Sequence, residues 1–181
     1  MTEPDIGADG DAIELPGLIP VPPEEPEIAT LDHVSVPPDT VVLDTDAFSI
    51  LFVRSPGGRE QKQQLAETQQ RLKDLLVGRT VVIATQTQAE LIAGPQVGNW
   101  GERRTTELRR IVNDTPIVPV TAEVIETYAR LAAACRNTGH ALGQKDHASD
   151  RWIAATAIAL GVPLLAVDRI YAGTPGLTFL T

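Results

Sequence analysis

The chain has 181 residues, 43% of them hydrophobic, which is enough for one domain with a real core. Its net charge of -9 is uneven: residues 1–40 hold ten acids and no Lys or Arg, while the other 141 hold 14 acids and all 15 Lys and Arg, a net of +1. No stretch approaches the roughly 20 apolar residues of a membrane span, the N-terminus lacks the basic and apolar regions of a secretory leader, and a single cysteine, Cys135, excludes an intrachain disulfide framework and a cysteine-based zinc site. These features point to a reducing cytoplasm.

Residues 1–38 carry 8 of the 14 prolines, as in Ile19-Pro20-Val21-Pro22-Pro23-Glu24-Glu25-Pro26. Proline with one sign of charge and few aromatics predicts an acidic, extended or disordered tail. The folded domain is expected over residues 39–181. Asp39 to Leu43 reads as a first strand, apolar and β-branched, followed by a short helix from Ala47 to Phe52. Ser55-Pro56-Gly57-Gly58 reads as a turn. Arg59 to Val77 reads as a helix with Leu65, Leu72, Leu75 and Leu76 inward, and Gly78 just past its end. Val81-Val82-Ile83 is a second strand. Thr85 is expected to cap a helix that carries Glu90 and stops at Gly94-Pro95.

A helix from Trp100 to Val112 follows, with Leu108 and Ile111 inward, and then a third strand, Ile117-Val118-Pro119-Val120. Thr121 caps a helix over 122–137 that buries Cys135. Residues 138–148 read as a loop, Ser149 to Leu160 as a helix closed by Gly161, and Pro163 to Val167 as a fourth strand ending at Asp168. Leu177 to Leu180 is a short last strand. Apolar strands alternating with helices give an α/β fold with a mostly parallel central sheet.

Four acids stand out from this pattern. Asp44 and Asp168 follow an apolar strand, Glu90 lies on the helix after the second strand, and Asp150 lies in the first turn of the helix before the fourth. In a parallel sheet these places can share the C-terminal rim, where open α/β sheets bind ligands. Clustered carboxylates repel unless a cation joins them. An oxygen-only set, with no cysteine pair and no compact histidine pair, suits Mg²⁺ or Mn²⁺, which can activate water at a phosphodiester. Asp46 and Asp146 are possible accessory acids: Asp146 is one helical turn before Asp150, and Asp46 is two residues past Asp44. Arg103, Arg104, Arg109 and Arg110 share one helix with Glu102 and Glu107. They read either as a salt-bridged solvated face or as contacts to phosphates, with Arg103 and Arg110 the candidates. Trp100 and Trp152 read as packing residues, and His147 as a solvated loop histidine.

The stretches Val42-Leu43-Asp44-Thr45-Asp46, Gln88-Ala89-Glu90-Leu91-Ile92-Ala93-Gly94, Asp150-Arg151-Trp152-Ile153-Ala154-Ala155-Thr156-Ala157, Leu164-Leu165-Ala166-Val167-Asp168 and Pro175-Gly176-Leu177 together resemble a PIN-domain ribonuclease. The nearest likeness is to the VapC-like toxins of VapBC-type toxin–antitoxin pairs. The resemblance implies a three-layer α/β/α sandwich and an endoribonuclease dependent on Mg²⁺ or Mn²⁺. It further implies a homodimer and a cognate antitoxin that blocks the site. Asp44, Glu90, Asp150 and Asp168 would be the catalytic and metal-binding acids, with Thr45 steadying the metal or its water. The chain departs from the family pattern in its acidic tail and in Asp46, which stands where Asn or Ser is frequent. Three other readings are consistent with parts of the sequence: a PIN nuclease of RNA processing, a non-catalytic RNA- or protein-binding PIN-like domain, and a phosphatase of the haloacid dehalogenase type. In the last, Asp44 would be the nucleophile and Asp46 the acid. Phe48 and the lack of a later Gly-Asp-Asp-like motif speak against it.

Overall fold

The computed structural model describes residues 36–54 and 59–181. The tail expected over 1–38 lies outside the described residues as far as residue 35, and so does the turn expected at 55–58. The element order is β1 (Thr40–Leu43), α1 (Thr45–Phe52), α2 (Arg59–Leu76), β2 (Thr80–Ala84), α3 (Thr85–Val97), α4 (Glu102–Asn113), β3 (Ile117–Val118), α5 (Ala122–Thr138), α6 (Ala148–Leu160), β4 (Leu164–Leu165) and β5 (Phe179–Leu180). Short 3-10 turns occupy Ala141–Gly143, Lys145–His147 and Arg169–Tyr171.

All five strands are parallel, in the order β3-β2-β1-β4-β5. Each strand is apolar on both faces because helices cover both. On β1, Val41 and Leu43 point into one core with Phe48, Leu72, Leu91, Leu108 and Val112; Val42 points into the other, with Leu131, Cys135, Leu142, Ile153 and Tyr171. The same alternation divides Ile83 from Val82 and Ala84, and Leu165 from Leu164. The sheet is therefore the middle layer of an α/β/α sandwich, with α1, α2 and α4 packed in one core and α5 and α6 in the other. Among the described residues no helix is long and apolar enough to cross a membrane.

The structure corrects several expected boundaries. Thr85 does not cap α3: Ala84 is the cap residue, and the Thr85 hydroxyl donates to the Val118 carbonyl, 2.9 Å away on β3. Gly94-Pro95 does not stop α3, which runs on to Val97 with Pro95 buried inside it. Pro95 sits in the last turn, where its missing N–H removes a single helical bond. Strand β3 is only Ile117–Val118 because Pro119 has no donor to continue the ladder. The stretch 138–148 is a pair of 3-10 turns rather than an open loop. As expected, the Thr121 hydroxyl accepts from the Val124 N–H at the start of α5, and Gly161, at a left-handed φ of 66°, closes α6.

Candidate active site

The chain proceeds from β1 outward to β2 and β3, then returns to the other side of β1 for β4 and β5. The strand order reverses between β1 and β4, and in an open parallel sheet a ligand crevice forms beyond the carboxyl ends at such a point. Asp44 directly follows β1, and Asp168 follows β4 by three residues. Helix α3, leaving β2, brings Glu90, and the first turn of α6 brings Asp150. These four acids line one hollow of about 230 Å³ together with Thr45, Asp46, Ile153 and Tyr171.

Each acid is tethered by a donor of the protein. Asp44 is 4% exposed; its N–H donates to the Leu165 carbonyl, and its Oδ1 accepts from the Ala47 N–H at 2.7 Å, so it is also the N-cap of α1. Asp168 is exposed and repeats the motif, its Oδ1 accepting from the Ile170 N–H at 2.9 Å to cap the turn Arg169–Tyr171. Glu90 accepts from the Thr45 hydroxyl on Oε2 and from the Gln86 side-chain amide at 3.1 Å on Oε1. The same amide donates to the Ser149 hydroxyl at 3.1 Å, tying α3 to α6. Asp150 meets His147 Nδ1 at 3.1 Å on Oδ2 and accepts from the Tyr171 hydroxyl at 3.3 Å on Oδ1.

Burial, more than any neighbour, pushes the Asp44 carboxyl up to about 7; the Ala47 N–H opposes this, and Asp46, Asp150 and Asp168 add to it by repulsion. The hollow thus has a strong deficit of positive charge. Among the described residues, however, no three Asp, Glu, His or Cys side chains stand close enough to hold a metal ion as they lie. Each acid instead turns an oxygen to a donor of the protein. The donor set still fits a hard divalent cation, because every ionisable group lining the hollow except the Tyr171 phenol is a carboxylate and no soft ligand is present.

The accessory expectations divide. Thr45 lines the hollow and bonds Glu90. Asp46 also lines it but is turned outward, in a 3.1 Å ion pair with Arg54. Asp146 is exposed on its 3-10 turn and is not among the lining residues, because α6 begins only at Ala148 and the helical register that would align Asp146 with Asp150 is absent. Arg110 is bound to Glu107 at 2.9 Å and Asp114 at 3.0 Å, which makes it part of a salt-bridged helix face. Arg103 and Arg104 are exposed and line a separate groove, with Arg104 stacked on Trp100 at 3.4 Å from the ring centre. Trp152 stacks on Tyr128 at 4.1 Å, a packing role as expected. Cys135 is buried, as expected.

Sequence reasoning missed Gln86, Ser149 and Tyr171, and it took His147 for a solvated residue. Gln86 was accessible in principle, since it precedes Glu90 by four residues on one helix face. Tyr171 had only a faint signal, its spacing of three from Asp168.

The PIN domain family model matches residues 41–177. Among solved structures, the chain is similar to VapBC2 from Rickettsia felis bound to a fragment of promoter DNA (20% identity over 78% of this chain and 97% of that one, TM-score 0.60). It is similar to VapBC-1 from nontypeable Haemophilus influenzae (22% identity, 78% and 96% covered, TM-score 0.58). It is also similar to VapBC-5, of the VapBC family of toxin–antitoxin systems, from Mycobacterium tuberculosis (20% identity, 79% and 98% covered, TM-score 0.54). At these identities the likeness speaks to the fold. No curated protein matches the sequence. The family match, which spans Asp44, Glu90, Asp150 and Asp168, shows that the chain belongs to the PIN domain family.

Proposed function

We propose that this protein is an endoribonuclease dependent on Mg²⁺ or Mn²⁺ and acts as the toxin of a VapBC-type pair. The observation that carries the reading is the convergence of Asp44, Glu90, Asp150 and Asp168 on one hollow at the switch point of the sheet, with Asp44 buried and its pKa raised to about 7. Those four acids would hold the cation, with Thr45 steadying Glu90. A bound cation would make a coordinated water more acidic and would stabilise charge on the phosphodiester oxygens. To hold a cation Asp44 would have to give up its proton, so uptake would release protons and would tighten as pH rises through about 7. The remaining carboxylate oxygens orient the attacking water. One water adds across a phosphorus–oxygen bond, leaving a phosphate monoester on one fragment and a hydroxyl on the other.

Arg103 and Arg104 on α4 are exposed and suited to phosphate contacts that position RNA without reading its sequence. Arg110, held by Glu107 and Asp114, is a weaker candidate. The similarity to VapBC complexes supports an antitoxin partner; a homodimer and a cytoplasmic location belong to the same proposal. A phosphatase reading is disfavoured because Asp46, its required acid, is paired with Arg54 at the surface.

The test is cleavage of total RNA by the purified chain with Mg²⁺, Mn²⁺ or EDTA, beside Asp44→Asn. Discrete fragments that need metal and vanish in the variant are expected. Equal cleavage by the variant would overturn the site assignment. Growth arrest on expression, absent in Asp44→Asn, is expected of a toxin and not of a processing nuclease.

A further inference from the structure

We propose that Tyr171 is a positioning residue of the metal site: its hydroxyl aims Asp150 and couples it to the strand end that carries Asp168. The proposal rests on the metal reading above. Two of the tethers in the hollow, on Asp44 and Asp168, come from backbone N–H groups and would survive almost any side-chain change. Asp150 differs. Both of its oxygens are held by side chains, Oδ2 by His147 one turn away and Oδ1 by Tyr171 from a distant part of the chain. Its side chain is 34% exposed, so without these partners it could swing to water.

The geometry that delivers Tyr171 begins at Asp168. The Asp168 carboxylate caps the turn Arg169–Tyr171, and the tight 3-10 path brings the third residue back over the sheet. The Tyr171 ring is 1% exposed, packed in the core shared by α5 and α6 and tilted against Phe179 of β5 at 6.1 Å. From that packing its oxygen emerges at the hollow beside Asp150. A buried Tyr hydroxyl normally finds a partner; here the partner is one of the clustered acids. A phenol is neutral, and so a donor, over the ordinary pH range. Among the described residues lining the hollow, Tyr171 thus joins Thr45 as a neutral hydroxyl donor to a carboxylate. Its contribution is to hold Oδ1 while His147 holds Oδ2, so that the carboxylate keeps one orientation at the hollow.

The test compares the full chain with Tyr171→Phe, which keeps the ring and deletes only the hydroxyl. Mn²⁺ itself is the probe, its binding followed by calorimetry at constant pH. The expected result is a Kd for Mn²⁺ raised by about ten- to a hundredfold, with the melting temperature in EDTA nearly unchanged, because water can replace the hydroxyl at the part-exposed Asp150. RNA cleavage by the variant should fall at low Mn²⁺ and recover at high Mn²⁺, with the KM for RNA unaltered. A purely structural role would lower the EDTA melting temperature and leave the Kd alone. Wild-type and variant affinities within twofold of each other would overturn the proposal and leave the metal reading standing. Absence of Mn²⁺ binding by the wild-type chain would overturn both.

Discussion

Two hollows open at opposite ends of helix α1. At its N-terminus Asp44, Thr45 and Asp46 meet Glu90, Asp150, Asp168 and Tyr171 around about 230 Å³. At its C-terminus Phe52 and Val53 meet Leu108, Ile111, Arg103 and Arg104 of α4 around about 550 Å³. The larger hollow is an apolar groove with a charged rim, and the acids do not converge there. The smaller one gathers like charges that the fold must hold by backbone caps and side-chain donors. Size marks where something can fit, whereas charges assembled against their own repulsion mark where chemistry is done.

The comparison can be broken from the acidic side first. Asp150→Asn should lower RNA cleavage by at least about a hundredfold at saturating metal, since the proposed site would lose a ligand and orientation alone contributes factors of this size. Cleavage within threefold of wild type would remove Asp150 from the site. Next is the pH dependence of stability in EDTA. The folded chain holds a proton on Asp44 up to about pH 7, whereas an unfolded Asp releases it near 3.8. Between those values the native state binds more protons, so stability falls as pH rises and levels off above about 7. The full span corresponds to about 4 kcal/mol. Denaturant melts from pH 4 to 8 should show that decline and should lose most of it in Asp44→Asn, whose side-chain oxygen can still accept from the Ala47 N–H. An equal slope in both proteins would contradict the burial of a strained carboxyl.

A smaller effect is expected at Gln86, which holds Glu90 and Ser149 at once. Gln86→Ala should weaken Mn²⁺ binding by about tenfold, measured by the same calorimetry. The groove provides the contrast: Phe52 is 45% exposed, so Phe52→Ala should cost only about 1 kcal/mol and leave cleavage unchanged. A large loss of cleavage there would erase the distinction between the two hollows. Removal of residues 1–38 is expected to have the least effect of all on folding. A proline-rich acidic segment contributes little core, and the truncated chain should still melt cooperatively.

How much of this was legible in the sequence depended on whether the cause was local. Asp44 and Asp168 were readable because an apolar β-branched run predicts a buried parallel strand and its end predicts the rim. Glu90 and Asp150 followed from their helices in the same way. The division of Val41 and Leu43 from Val42 into two cores is the strand period, also local. The errors arose where tertiary context overrode a local rule. Thr85 has a capping residue's chemistry but gives its hydroxyl to β3. Pro95 breaks one hydrogen bond in a last turn that burial holds together. Asp146 has the right spacing for a helix that starts two residues later. Tyr171 could not be placed from sequence, because its partner Asp150 is 21 residues away and its orientation is set by the packing of β5 and α6.

The four acids are proposed to close on one or two divalent cations. Crystals grown with Mn²⁺, measured at the manganese absorption edge, test it most directly. The account predicts an anomalous peak in the hollow, with oxygens of Asp44 and at least one of Glu90, Asp150 and Asp168 at about 2.1 to 2.3 Å. A map with no peak there at millimolar Mn²⁺, or with peaks only on the surface carboxylates, would contradict it.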